Sequence, residues 1–310
     1  MYLVPIVFFV YNRPEYTKKS IDSFTKNHLA KESILYVFSD GPRNEKDVSQ
    51  IKKVRDVIKD IAGFEQVKII EQDKNLGLAN SIIGGVSKVI KTYGSVIVVE
   101  DDLITATNFL RFMNEALEFY KHNKNVFSIT GYNFPPSLMK IPKNYEKDVY
   151  FSPRCSSWGW GTWKDRWDKV DWELKDFSAF LKDKKQQKLY NFSGDDKTEM
   201  LISQKKGEID SWAIRWDYAH FKHNAFCVYP VNSLVDNIGF DSSGMHCDDY
   251  QGYSFEGNLK EKRYKIEFES LAELDRGIMK EFRKVFKRGP VYKLKNIIKK
   301  VIFYEKWRKY

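Results

Sequence analysis

Short apolar runs alternate with stretches of helical periodicity through the first 130 residues of this chain. The runs at 3–10, 34–39, 67–71, 95–99 and 126–130 are rich in β-branched and aromatic residues and predict strands. Between them, 14–24, 48–61, 78–90 and 108–120 carry apolar residues near every third or fourth position and predict helices. Repeated strand-helix order implies an α/β fold with a mainly parallel central sheet covered by helices on both faces. Pro14 fits a first helical turn, where its missing N–H costs nothing.

After about Pro135 the alternation fades, and Trp, Tyr, Gly and Lys become frequent. No linker separates the halves, so residues 104–275 are expected to form a second, acceptor-side lobe on the sheet begun by 1–103. The boundary near 274–277 precedes a basic tail. Residues 276–310 hold 13 Lys and Arg against Glu281 and Glu305, a net of +11, which leaves 1–275 at −1 although the whole chain carries +10. A balanced body with a basic tail argues against a nucleic-acid-tracking surface and for a separate docking element. Cys155, Cys227 and Cys247 form neither a disulfide framework nor a structural zinc pattern, which favours a reducing compartment. The opening apolar run is too short to span a bilayer and lacks a basic leader.

The strand predicted at 95–99 ends in Glu100, Asp101 and Asp102. In open α/β sheets ligands bind at the carboxyl ends of strands, and clustered carboxylates there suit a divalent cation holding a phosphorylated ligand. The alternative is a solvated turn, with Asp102 or Thr107 capping the following helix. Tyr11-Asn12-Arg13, Ser39-Asp40-Gly41-Pro42 and Asp73-Lys74-Asn75-Leu76-Gly77 close the earlier strands and should share that edge. The chain has no P-loop lysine motif and no G-x-G-x-x-G, so phosphate would be held by metal and Arg rather than by a glycine cradle.

The order of the run 5–14, Ser39-Asp40-Gly41, Asn75-Leu76-Gly77-Leu78 and Glu100-Asp101-Asp102 resembles nucleotide-sugar glycosyltransferases of the GT-A fold. Within these it resembles the group of eukaryotic N-acetylglucosaminyltransferase I and bacterial polysaccharide transferases, over residues 3 to 250. The resemblance implies a Rossmann-like sheet, with Asp40 on the nucleobase or ribose, Arg13 and the neighbouring Asp101 on the donor, and Asp102 on a Mn²⁺ or Mg²⁺ ion bridging the diphosphate. A salt bridge for Arg13 and an Asx-turn for Asp40 are the structural alternatives.

Ser156-Ser-Trp-Gly-Trp-Gly-Thr-Trp163 sets flat apolar faces among small residues, and Trp158 and Trp160 are candidates for sugar contact. The alternative is an aromatic mini-core, to which Trp167 and Trp172 are assigned. Glu208-Ile-Asp210-Ser-Trp212 predicts the start of an amphipathic helix. By resemblance Asp210, just before a Trp, is the carboxylate that takes the acceptor's proton, with Glu208 in reserve; the alternative is a helix N-cap. His246, in a glycine-containing segment after the apolar run 225–235, is implied near or on the metal. His220 and His223 read as packing or surface residues.

The resemblance, with these residues, implies a metal-dependent inverting glycosyltransferase that uses a nucleoside-diphosphate sugar, expected to be a UDP-sugar. By that resemblance alone its expected acceptor is a bacterial surface glycan or lipid-linked glycan, at the inner face of the plasma membrane. A sugar-nucleotide pyrophosphorylase would need a Gly-rich phosphate loop that is missing here. A non-catalytic carbohydrate-binding protein would use the Trp cluster alone. Val291, Leu294, Ile298 and Val301 recur at helical spacing among lysines after Gly289-Pro290, which suggests a C-terminal amphipathic helix anchoring to an anionic membrane surface.

Overall fold

Strand β1 (Ile6–Val10) is buried at every position because helices cover both of its faces. Ile6, Phe8 and Val10 point into one core layer with Phe24, Val54 and Phe109, while Val7 and Phe9 point into the other with Ala79, Ile82 and Trp216. This period-two division explains why a parallel strand reads as an unbroken apolar run. The computed structural model describes residues 3–239, 253–255, 259 and 265–287.

The chain order is β1, α1 (Pro14–Phe24), β2 (Ile34–Ser39), α2 (Glu45–Lys59), β3 (Gln66–Glu71), α3 (Leu78–Tyr93) and β4 (Ser95–Glu100). Then come β5 (Leu103–Thr105), α4 (Phe109–Tyr120), β6 (Val126–Thr130), β7 (Val149–Ser152) and β8 (Trp160–Trp163). The chain continues with α5 (Lys164–Trp167), α6 (Phe177–Lys182), α7 (Lys184–Tyr190), α8 (Lys197–Lys205), α9 (Trp212–Lys222), β9 (Phe226–Pro230), β10 (Val235–Asn237) and α10 (Arg276–Val285). The main sheet has the order β3-β2-β1-β4-β8-β6-β9-β7, and β5 pairs with β10 in a separate ribbon.

Four of its seven strand pairings are parallel, and the three antiparallel ones involve β8 and β7. The expected mainly parallel sheet is therefore a mixed one, with its purely parallel half at β3-β2-β1-β4. This is the GT-A arrangement, and it places the ends of β1, β2 and β4 side by side. The β5–β10 ribbon leaves that same edge, since Asn237 pairs with Leu103 directly after the acidic triplet.

Lys197 of α8 and Asp217 of α9 form a buried ion pair of 2.8 Å. The sequence boundary at 274–277 does not coincide with the edge of the packed body. Helix α10 begins at the Asp275 cap, and its Ile278, Met279 and Phe282 are buried in the main core. Phe282 packs edge-on against Phe134 and Tyr150. The start of the basic segment thus belongs to the body, while the anchor helix expected after Pro290 lies outside the described residues. Among the described residues no helix is long and apolar enough to cross a membrane.

Candidate active site

Arg13 stands between β1 and Pro14 in a non-helical conformation, as proline disfavours the helical region for the residue before it. Its Nη2 donates to Asp101 Oδ1 at 2.7 Å and to Asp102 Oδ2 at 2.9 Å. Asp101 also accepts from the Tyr11 backbone N–H, and Ser20 Oγ donates to the Asp101 carbonyl. Asp101 is buried, and burial pushes its carboxyl above the ordinary range even though Arg13 pulls the other way. Burial also raises Glu100, helped by repulsion from Asp102 and Asp101. Burial works against the Arg13 charge, but attraction to Asp101 and Asp102 outweighs it, so the guanidinium holds its proton more tightly than usual. With both oxygens engaged within the protein, Asp101 positions Arg13; it is the more exposed Asp102 that reaches the open edge.

The same packing explains Gly239. Ile238 N–H donates to the Asp102 carbonyl, which brings the chain back over the acidic turn. A Cβ on Gly239 would lie 2.6 Å from Asp102 Oδ2 and 3.1 Å from Arg13 Nη1.

Asp40 has a different task from the expected one. Its Oδ1 accepts from Gly41 N–H and Leu76 N–H, and its Oδ2 accepts from Asn75 Nδ2 and Gly77 N–H, at 2.9 to 3.1 Å. A carboxylate has about four acceptor positions, so in this arrangement none remains for a ribose or a base. Asp40 instead ties the turn after β3 to the end of β2, where a Cβ on Gly41 would come 2.5 Å from the Lys74 backbone.

Beside it lies a cluster that sequence reasoning missed. Tyr11 Oη donates to Asp47 at 2.7 Å, Asn12 Nδ2 donates to it at 3.0 Å, and Arg43 Nε donates to both Asp47 and Tyr11. The Tyr11 and Arg43 hydrogen bonds hold the Asp47 carboxyl down to about 2. In sequence Asp47 looks like an ordinary acid in the first turn of α2, and only its pairing across 36 residues gives it this role.

The N-cap of α9 is Ser211, whose Oγ accepts from Ile214 N–H. Asp210 is thereby released from capping. Its side chain is 59% exposed, 3.4 Å from Arg215 Nη2, and its Oδ2 would be 3.7 Å from a Cβ on Gly77. The second carboxylate is thus delivered to the turn that Asp40 holds. Glu208 is exposed and bonded to Ser203.

The two tryptophans considered for sugar contact separate. Trp158 is half-buried, with its ring 4.4 Å from Tyr132, whose hydroxyl donates to the Tyr253 carbonyl. Trp160 is fully buried, because β8 is inserted between β4 and β6 and turns this side chain under α9. There it stacks on Trp212 at 4.9 Å and packs with Trp167 and Trp216. It belongs to the mini-core and not to the ligand edge. His246 lies outside the described residues.

Residues 6–196 match the model of the family "Glycosyl transferase family 2", which is more than half of the chain. This protein is a member of glycosyl transferase family 2. A mannosyltransferase of Pyrobaculum calidifontis, PcManGT, solved with GDP-Man and Mn²⁺, is 12% identical over 54% of this chain and 47% of its own, with a TM-score of 0.36. S. aureus TarS 1–349 is 12% identical over 75% of this chain and 60% of its own, with a TM-score of 0.39. A further TarS structure is 17% identical over 44% and 24%, with a TM-score of 0.30. The chain spans less than two thirds of the length of each. No curated protein matches it.

For this family 2 chain, the residues at the edge bear on a metal. Among the described residues no three His, Cys, Asp or Glu side chains are grouped to enclose an ion. The half-exposed Asp102 beside Arg13 fits a hard cation only as a single carboxylate donor. That is how Mg²⁺-like ions sit when substrate phosphates and water supply most of the ligands.

Proposed function

We propose that this glycosyltransferase is a metal-dependent inverting enzyme that moves a sugar from a nucleoside diphosphate, preferably UDP, to a glycan or lipid-linked glycan of a bacterial surface. The observation that carries the reading is the arrangement of Arg13 between Asp101 and Asp102 at the carboxyl edge, with exposed Asp210 beside the turn tied down by Asp40. Arg13 binds the donor phosphates, and its buried Nη1 has no hydrogen-bond partner among the described residues. Asp102 is the protein donor for Mn²⁺ or Mg²⁺, which when bound neutralises charge developing on the departing diphosphate.

Asp210 takes the proton from the acceptor hydroxyl as its oxygen attacks the anomeric carbon. The bond from that carbon to the diphosphate breaks on the opposite face, so the configuration inverts. Trp158 supplies an apolar face to the sugar, and His246 adds to the metal side. Attachment of 288–310 to the inner face of the plasma membrane would bring a lipid-linked acceptor to this edge. The resemblance to the N-acetylglucosaminyltransferase I group supports a UDP donor.

The test is a thermal-shift panel of UDP-, GDP-, dTDP- and CMP-sugars with and without Mn²⁺. A specific donor at a hundredfold excess over its dissociation constant stabilises the native state by about 2.7 kcal/mol. The expected result is a metal-dependent shift with UDP-sugars, and the absence of any such shift across the panel would overturn the reading.

A further inference from the structure

We propose that the outer face of α10, with the exposed end of α7 and the turn after it, is a docking surface for an anionic membrane built into the folded body. It deepens the membrane attachment of the proposed function by naming a second, folded contact surface on the body, and it stands without the assigned chemistry.

Arg276, Lys280, Arg283 and Lys284 of α10, and Lys287 just beyond its end, are all exposed, and the spacing of the four on the helix puts them within an arc of about 100°. Ile278, Met279 and Phe282 occupy the opposite arc and are buried. Among the described residues only Lys284 of these five cations has an ion pair, with Glu281. A helix that merely needs solvating carries mixed charge, whereas a one-sign stripe produces a field that attracts a negative surface.

A second observation identifies that surface as lipid. Phe192 is 39% exposed and lies 5.1 Å from the Arg283 guanidinium, on the turn that joins α7 to the neighbourhood of α10. Leu189 at the end of α7 is 51% exposed, and Lys184, Lys185 and Lys188 of that helix are exposed as well. Exposed apolar side chains set among cations are the pattern of an interfacial element. The hydrocarbon enters the headgroup boundary, and the long basic side chains reach the phosphates. A soluble acidic glycan would use the charge and the Phe192 ring but leave the exposed aliphatic Leu189 without a role.

The face is also mechanically joined to the candidate active site. Phe282 packs on Phe134 at 5.5 Å, Phe134 on Tyr132 at 5.4 Å, and Tyr132 on Trp158 at 4.4 Å. Docking through α10 would therefore fix the orientation of the Trp158 wall relative to the bilayer.

The experiment is co-sedimentation of the full chain with vesicles of equal parts phosphatidylglycerol and phosphatidylcholine, against vesicles of phosphatidylcholine alone. Each cation near such a surface strengthens binding about fivefold. The triple variant K280E/R283E/K287E should partition at least about 100-fold more weakly, with an unchanged melting temperature and unchanged hydrolysis of the donor. Phe192→Ser should weaken partitioning several-fold without altering its salt dependence. The single changes K280Q, R283Q and K287Q, each costing about fivefold, keep the test decisive should the triple variant fail to fold. Unchanged partitioning of these variants, or equal binding to neutral vesicles, would overturn the proposal. So would unchanged vesicle binding combined with lost retention on an acidic polysaccharide, which would assign the face to a glycan. Absent donor turnover with vesicle binding retained would count against the glycosyltransferase reading and leave this one standing.

Discussion

Gly239 lies against Asp102 so closely that a methyl group on it would come within 2.6 Å of the carboxylate Oδ2 and 3.0 Å of the Cβ. Two segments more than 200 residues apart in the chain thus crowd one carboxylate, since Arg13 holds the same oxygen and its Nη1 also borders the Gly239 site. The expected result of Gly239→Ala is a displaced Asp102 and donor affinity in Mn²⁺ lowered about 10- to 100-fold, the range of an overpacking penalty. Calorimetric titration with and without metal checks it. Unchanged affinity in both conditions would mean that Asp102 is not held for the donor.

Asp210→Asn should keep donor binding and lose about 10² to 10⁴ in turnover, because an amide cannot accept the acceptor proton. Capping of α9 by Ser211 means that the substitution leaves the helix start intact. The NMR spectrum of the wild-type product should show the anomeric configuration opposite to the donor's. Retention would remove the need for this base.

For Asp40→Ala the expected loss is in stability. Three backbone N–H groups lose their acceptor and the Asn75 amide keeps only the Gly41 carbonyl. A buried group left unpaired costs about 1–3 kcal/mol, which applies in full to the Gly41 N–H and in part to the others. Denaturant unfolding should report a decrease of about 1–3 kcal/mol. An unchanged midpoint together with a large loss of donor affinity would instead return Asp40 to direct nucleotide contact.

His220 provides a pH signature. Its Nδ1 donates to the Trp216 carbonyl, and its Nε2 accepts from Ser128 Oγ at 2.8 Å. Burial lowers its pKa from 6.5 to about 4, so it is neutral in the fold. Between those values the unfolded chain binds a proton that the native state refuses. Its contribution is therefore fully present above pH 6.5 and is lost as pH falls toward 4, by about 3 kcal/mol at full extent. Unfolding free energies across pH 4–7 should show a steeper acid loss for the wild type than for His220→Gln. Parallel curves would refute the assignment.

The parallel half of the sheet was legible because β1 to β4 carry apolar runs divided by helices of clear period, and each strand ends in a polar turn. The edge shared by Arg13, Asp40 and Asp102 followed from that order alone. The Trp160 strand was not legible, because its four residues contain a glycine and two large rings and have no alternation to read. Nor was the cap of α9, since Asp210 and Ser211 are adjacent and both are good N-cap residues; only backbone geometry chooses between them. Asp40 and Asp47 were misjudged or missed because their partners come from segments about 35 residues away. The charge step at residue 276 misplaced the body's edge, because the apolar arc of α10 is interleaved with the very lysines and arginines that define the tail.

The bond pattern around Asp40 bears on how such a chain can diversify. Of the four groups that grip the carboxylate, three are main-chain N–H groups, and only Asn75 contributes a side chain. The turn's shape is therefore encoded almost independently of the side chain at its middle. Leu76, 44% exposed next to the glycine that neighbours Asp210, can be exchanged without untying the knot. A substitution at Leu76 would therefore change what borders Asp210 while the frame of the turn stays the same.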